Sequence, residues 1–435
     1  MKKIASLMTS LTLVAALLAG CGSGGNGGNG ASSPNSTDSN VGSGGKSVTL
    51  KVFIAQPRFK EQYDKLAADF TAMMKETQNT DVTVQLELPN SDNAAQILKT
   101  RLASNDAPDV FSLHAINELP TFYKAGYLED LSDQPFVDVL LEDVKKSVTT
   151  TDGKVVGVPL ETMSWGYLYN KDLFEQYKLE VPTTVAELRE VAEQLKANGE
   201  TPFLLSYKEA WIPQLVLPLA VGALMKTGNE DFVDRMNKDE GSFQEMKEMF
   251  TVFDLISEYG TDRALEVGGD DGAAKFAAGE AAMWLQGPWY AETILKSNPD
   301  MSFGVAPLPI NDDPNATLIN LSASTTLAVS QASKQKDVAK AFLNFVMSEE
   351  YSSGLFESLM FNPTATVHTY ESYPWVDDAT VYVKEGKAYQ DPSIPQAVKD
   401  EVGKGLQSYF AGQMTQDEVL DALDKAWKSF NKVNQ

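Results

Sequence analysis

With 435 residues, a net charge of −24, two histidines and a single cysteine, the chain rules out several functions before any motif is considered. A surface this acidic argues against nucleic acid and anionic lipid as partners, and disfavours anionic ligands such as sugar phosphates unless a local basic pocket exists. Two histidines and one cysteine leave little for a zinc site or a Cys-His nucleophile. The length calls for two hydrophobic cores.

Lys2 and Lys3 precede an apolar run from Ile4 to Leu18. That run is shorter than the roughly 20 residues that cross a bilayer, so residues 1–20 read as a signal peptide. Leu18-Ala19-Gly20-Cys21 resembles the bacterial lipoprotein cleavage signal, which makes Cys21 the expected lipidation site and the outer face of the cell membrane the expected location. Residues 21–46 are Gly, Ser and Asn with almost nothing apolar, a flexible tether. Gly45-Lys46-Ser47 ends like a phosphate-binding loop, but Asn40 stands at the first glycine's position and a strand follows, so no nucleotide is expected.

Val48, Leu50 and Val52 alternate as a first strand, and Phe59, Tyr63, Leu66, Phe70 and Met74 recur at helical spacing behind it. Val82 to Leu88 is a second strand, a helix follows Ser91-Asp92, Val110 to Leu113 is a third strand, and Leu119 to Ala125 a short helix. This βαβαβα order implies a largely parallel, helix-covered sheet. Asp152-Gly153 marks a sharp reversal. Beyond it come Gly157-Val158-Pro159, the carboxylate Glu161, and the strand-like run Trp165-Gly166-Tyr167-Leu168-Tyr169, with a helix opening at Asn170. The rest is more helical, with capping boxes at Thr184/Glu187, Ser242/Glu245 and Thr415/Glu418. Short strands are expected at 202–205, 281–285, 303–307 and 323–329. Trp284 and Trp427 read as core.

The stretch from Gly153 onward resembles the crossover of extracellular solute-binding proteins that serve ABC sugar importers, the group that includes maltose-binding protein. The resemblance rests on Gly153-Lys154-x-x-Gly157-x-Pro159, then Tyr169-Asn170-Lys171-Asp172-Leu173-Phe174, then Pro182-Thr183-Thr184-x-x-Glu187-Leu188. It implies an α/β, two-lobed periplasmic-binding-protein-like fold with a ligand cleft and hinge between the lobes. Residues 47–159 and 307–350 would form the N-terminal lobe, 160–306 and 351–435 the C-terminal lobe. It further implies a monomeric receptor for a neutral sugar, an oligosaccharide, that needs no cofactor or metal and hands its ligand to ABC permease subunits.

Ligands of open α/β sheets bind beyond the carboxyl ends of the strands. That singles out Gln56 and Arg58 after the first strand, and His114 and Asn117 after the third. Trp289 follows a buried strand and a Gly-Pro turn, at the mouth of a helix. In the resembled family the matching tryptophan stacks on sugar, and Glu161 falls at a hydroxyl-binding carboxylate position. Packing between helix and sheet is the alternative for Trp289, and a solvated loop residue for Glu161. Trp165 is expected partly exposed in the cleft, Trp211 either a platform or a helix-start packing residue, and His114 either a ligand contact or a satisfied loop histidine. Asn320 and Ser322 stand where family members carry paired glycines, and Ala397-Val398-Lys399-Asp400 stand where some members have a stacking aromatic. Sixty acidic residues leave a carboxylate-pair glycoside hydrolase or lyase open. A receptor for a polyamine or a glycerophosphodiester also stays open.

Overall fold

The alternating Val48, Leu50 and Val52 fall on β1 (Ser47–Phe53), with all three side chains buried. It is followed in chain order by β2 (Asp81–Glu87), β3 (Val110–Leu113), β4 (Val158–Trp165), β5 (Tyr167–Asn170), β6 (Phe203–Leu204), β7 (Met283–Trp284), β8 (Phe303–Ala306), β9 (Ile319–Val329) and β10 (Ala388–Gln390). The computed structural model describes residues 47–434 apart from Asn105. The expected signal peptide, Cys21 and the tether lie outside these residues. Among them no helix is long and apolar enough to cross a membrane.

Two sheets organise the chain. In the first, β2, β1 and β3 are parallel neighbours, as the βαβ order requires, and β3 then pairs antiparallel with β9. The long β9 carries β4 along its other edge, while β10 lies parallel to its opening residues. The second sheet has the order β6-β7-β5-β8. One core lies under the first sheet, where Phe70 on the helix Lys60–Gln78 meets Phe342 on the helix Lys336–Val346 at 5.1 Å. A second gathers Leu188, Phe250, Phe253 and Trp427, with Trp284 in an adjoining cluster. Trp284 and Trp427 are buried, as their positions in apolar patterns predict.

The expected aromatic strand from Trp165 to Tyr169 is broken at Gly166, where the chain leaves the first sheet and enters the second. A Cβ on Gly166 would lie 2.2 Å from the Ala306 carbonyl oxygen and 3.0 Å from Pro307 Cα. The outgoing crossing therefore runs tight against the returning one, and only glycine allows that approach. The expected lobe boundaries shift accordingly. Residues through Trp165, rather than 159, stay in the first sheet. Leu355, Phe356, Leu359, Phe361 and Ala365 pack into the first core, and β10 joins the first sheet, although all lie beyond residue 350. The apolar faces of these late segments do not say which core they fill.

Candidate functional site

The pairing of β4 with β9 sets the first part of the site. The register reads Pro159 opposite Thr326, Glu161 opposite Thr325, Thr162 opposite Ala323, Met163 opposite Ser322 and Trp165 opposite Asn320. One extra residue on each strand, Leu160 and then Ser324, bulges the ladder on either side of Glu161. Bulges re-aim side chains, and here two hydroxyls converge on one carboxylate. Glu161 Oε2 accepts from Ser324 Oγ at 2.9 Å and from Thr325 Oγ1 at 2.9 Å. Gln56, just past β1, donates Nε2 to the same oxygen at 2.7 Å, and Arg58 reaches Glu161 Oε1 at 3.2 Å. Tyr63 donates its hydroxyl to Gln56 Oε1. Burial pushes the Tyr63 hydroxyl far up from its ordinary value, with the Glu161 charge adding to it. Glu161 is 3 % exposed, so this carboxylate is buried and already occupied by protein donors.

The second part sits where two strands end against β9. β3 runs antiparallel to Thr326–Val329, and β10 runs parallel to Ile319–Leu321 on the same edge. Their carboxyl ends therefore converge over the middle of β9. His114 leaves one strand end and Asp391 leaves the other. The Asn320 side chain donates to Asp391 Oδ1 at 3.1 Å, and Asp391 Oδ2 lies 3.7 Å from both His114 Nε2 and Lys399 Nζ. Backbone N–H groups of Ile116 and Asn117 donate to His114 Nδ1 at 3.3 and 3.4 Å, the Asn117 side-chain nitrogen lies 3.1 Å from Nδ1 and 3.2 Å from Nε2, and Ser322 Oγ lies 3.4 Å from Nε2. Burial, reinforced by the Lys399 ammonium, pushes the His114 imidazole down to about 4 against the opposing pull of Asp391. Glu118 accepts from the His114 backbone N–H at 2.9 Å, and burial pushes its carboxyl up.

The third part is aromatic. Gly287-Pro288 leads into a 3-10 turn (Pro288–Tyr290), then the helix Ala291–Ser297. A Cβ on Gly287 would fall 2.1 Å from the Trp289 ring, so the glycine is what lets the indole fold back over its own turn. Trp289 meets Trp165 edge to face at 5.3 Å and Trp211 at 6.4 Å. Its Nε1 is buried with no hydrogen-bond partner. A pocket runs from Glu161, Thr162 and Met163 past Trp289 and Glu292 to Phe361 and Asn362. It thus joins the carboxylate cluster to the indole. Trp375 also lines it, but Tyr373 and Phe303 stack on the Trp375 ring at 4.9 and 5.0 Å, leaving it no open face.

The ten expected residues thus come together around β4 and β9: Gln56, Arg58 and Glu161 in one cluster, His114, Asn117, Asn320 and Ser322 in the next, and Trp165, Trp211 and Trp289 beside them. Trp165 departs from its expected partial exposure. It is only 4 % exposed, because Trp289 covers it. Glu161 is a strand residue and not a solvated loop one. Trp211 stacks on Tyr290 at 6.3 Å and precedes the 3-10 turn Pro213–Leu215. Reading by sequence missed Asp391, Lys399, Ser324, Thr325, Glu292 and Asn362. For Lys399 a signal existed, since it stands inside the segment that departs from the family pattern. Among the described residues no group of three or more His, Cys, Asp or Glu could hold a metal ion.

Comparison with known proteins agrees with this architecture. The multiple sugar-binding protein of Streptococcus mutans is 25% identical over 292 residues, covering 66% of this chain and 69% of the relative. The melibiose/raffinose/stachyose-binding protein of Bacillus subtilis is 21% identical over 98% of this chain and 96% of its own. A solved chitin oligosaccharide binding protein superposes with a TM-score of 0.75 at 21% identity, over 89% of this chain and all of that one. The model of the bacterial extracellular solute-binding protein family matches residues 56–352, and the chain belongs to that family.

Proposed function

We propose that the chain is the substrate-binding receptor of an ABC sugar importer, that it captures a neutral oligosaccharide by hinge closure, and that it carries no catalytic activity. The observation that carries this reading is that hydrogen-bonding groups attached to different cores meet over β9, on a ladder whose Trp165 packs against the Trp289 indole. His114 and Asn117 follow β3 of the first sheet, whereas Lys399 lies on the helix Gln396–Phe410, whose Val398, Val402 and Leu406 belong to the second core. A ligand touching both sides favours the closed state by its differential affinity for it. The paired crossings at Gly166 and Ala306 are the natural hinge.

The charges favour a neutral ligand. Arg58 faces Glu161, Lys399 faces Asp391, and Glu292 is a further carboxylate at the pocket. A phosphate would need surplus cations and a polyamine several free acids. Sugar hydroxyls suit a lining of amides, hydroxyls and paired ions, with an indole for the flat ring face. Hydrolysis would need a carboxylate free to move a proton. Glu161 accepts four protein hydrogen bonds and Asp391 is shared among Asn320, His114 and Lys399, so neither is free for that role. Lipid attachment at Cys21 would hold the receptor at the outer face of the cell membrane, next to its permease.

Thermal unfolding of the full chain across neutral oligosaccharides, with each sugar recovered and weighed by mass spectrometry, decides the matter. A ligand at about a hundredfold excess over its Kd adds roughly 2.7 kcal/mol, a midpoint rise of several degrees. A rise with intact sugar supports the receptor. Cleaved sugar makes the protein an enzyme, and an unchanged midpoint throughout removes sugars as its ligands.

A further inference from the structure

Besides the crossings at Gly166 and Ala306, the chain passes between the cores a third time. The helix Ser352–Ser358 fills the first core with Leu355 and Phe356, whereas Trp375 and Ala379 of the helix Pro374–Lys384 belong to the cluster that adjoins the second. An unbroken file of rings joins the two, from Phe356 through His368, Tyr370, Tyr373 and Trp375 to Phe303 on β8, with neighbouring centroids 4.1–6.2 Å apart. The connecting segment is entered through Met360, whose φ of 54° is left-handed backbone that a side chain disfavours, so it begins under strain.

A turn at 364–366 fastens this segment to the first core. Leu141 N donates to Thr364 O at 3.0 Å, Thr366 N donates to Val139 O at 2.8 Å, and Leu140 bridges Ala365 between them. His368 closes the turn from inside. Thr364 N donates to its Nδ1 at 3.1 Å, its ring packs on Phe356 at 4.1 Å, and its Nε2 is buried without a hydrogen-bond partner.

That geometry admits only a neutral imidazole. Nδ1 must be bare to accept from Thr364, whereas an imidazolium donates from both nitrogens. A proton there would set two donors against each other and leave a charge with no acceptor for either N–H. Burial alone pushes the imidazole down to about 4. The groups around it supply no counter-charge. Ser353 offers a hydroxyl, which is engaged with Val367 O and Thr369 N. Glu357 acts on Tyr370 and Tyr373, while Asp138 and Glu142 bracket the 139–141 segment at the surface.

We propose that residues 359–375 form an acid-released clasp between the two cores, with His368 as its trigger. Clasped, the imidazole is neutral; released, it takes up a proton at its ordinary value near 6.5, so release is favoured as pH falls below that value. Leu359, Met360, Phe361 and Asn362 also line the pocket beside Glu161 and Trp289, so release would open one wall of it. That consequence for a bound sugar rests on the receptor reading. The clasp itself does not, and the ligand-free protein tests it.

The experiment is native-state hydrogen exchange on the full chain from pH 7 to 5, corrected for the intrinsic rate at each pH. The Leu141, Thr364 and Thr366 amides report the clasp, and the amides of the β1–β2 ladder serve as reference. Protection of the three should fall about tenfold across this range while the reference stays within about twofold. His368→Asn offers an amide oxygen in place of Nδ1, and His368→Phe keeps a ring; neither titrates, and in both the fall should vanish. If neither variant folds, the onset in wild type carries the same information, because release by histidine begins near pH 6.5 and release by carboxylates near about 4.5. Clasp amides that follow the β1–β2 ladder at every pH overturn the proposal, as does a fall that persists in a folded variant or starts only near pH 4.5. In each of these cases the receptor reading stands.

Discussion

The cluster around Glu161 and the cluster around Asp391 are built on the same strand, β9, yet they are finished differently. Glu161 has protein donors on both oxygens and sits in a bulged stretch of ladder that aims Ser324 and Thr325 at it. The Asp391 side is held more loosely, with His114 Nε2 and Lys399 Nζ each 3.7 Å from Asp391 Oδ2. A buried network closed by short hydrogen bonds fixes geometry more firmly than one held by contacts near 3.7 Å. The two groups thus differ in how tightly the protein itself holds them. Mutating each should damage a different property.

Acid should give the largest effect, because both histidines are depressed and one of them, His114, stands in the Asp391 cluster. His114 belongs to the Asp391 cluster, facing Asp391, Lys399 and Glu118. His368 lies in the first core's surroundings, its ring 4.1 Å from Phe356, and burial pushes it down to about 4 as well. With ordinary values near 6.5, the unfolded chain binds protons more readily than the folded one between about pH 6.5 and 4. Stability from these groups is therefore complete above that window and is lost as pH falls through it, by up to about 3 kcal/mol for His114 and by less for the partly exposed His368. Urea unfolding from pH 7 to 4 of wild type and His368→Gln gives the His368 share by difference, and the slope left in the variant carries the His114 share together with that of depressed carboxylates such as Glu129 and Glu245. A flat profile in that variant would show that His114 is not held neutral by its surroundings.

Glu161→Ala should come next, and should act on stability. It strands Gln56, Ser324 and Thr325 without their acceptor and leaves Arg58 unpaired, at a cost of about 3 kcal/mol once the partial exposure of Arg58 is allowed for. Denaturant midpoints at constant m-value would register it. A variant as stable as wild type would mean that the cluster does not set the geometry of the cleft. Trp289→Ala should act mainly on affinity, removing about 2 kcal/mol of sugar binding through the lost ring face. If unfolding shifts instead and affinity survives, Trp289 is only the packing partner of Trp165 and Trp211.

The fold was legible where local pattern and long-range pairing agree. β1, β2, β3 and the helices between them follow from alternation and helical spacing. The Ser242/Glu245 and Thr415/Glu418 caps form as reciprocal boxes. At the Thr184 cap the carboxylate of Glu187 reaches Thr183 N instead. The site was half legible. Gln56, Arg58, His114 and Asn117 follow from the rule that ligands gather at strand ends, but Asp391 follows a strand of three residues, too short to announce itself. Lys399 and Asp391 reach His114 only because β10 joins the edge of β9 that β3 also uses, which brings together two strands that do not pair and lie some 270 residues apart in the chain. The bulge that aims Ser324 and Thr325 is set by register, which no alternation in the sequence records.

The smallest effects give the sharpest separation, because Ser322 and Ser324 lie two residues apart on β9 and face different clusters. Ser324 Oγ donates to Glu161 at 2.9 Å, whereas Ser322 Oγ has only the 3.4 Å approach to His114 Nε2. Ser324→Ala should cost about 1 kcal/mol of stability, the worth of one hydrogen bond to a buried carboxylate, and leave sugar affinity within about twofold. Ser322→Ala should leave stability within about 0.5 kcal/mol and lower affinity severalfold, since its hydroxyl is freer to meet the ligand. Chemical denaturation and calorimetry on the same two variants decide between them. If both serines change the same quantity, the division between a finished cluster and an open one fails, and the whole strand must be treated as one site.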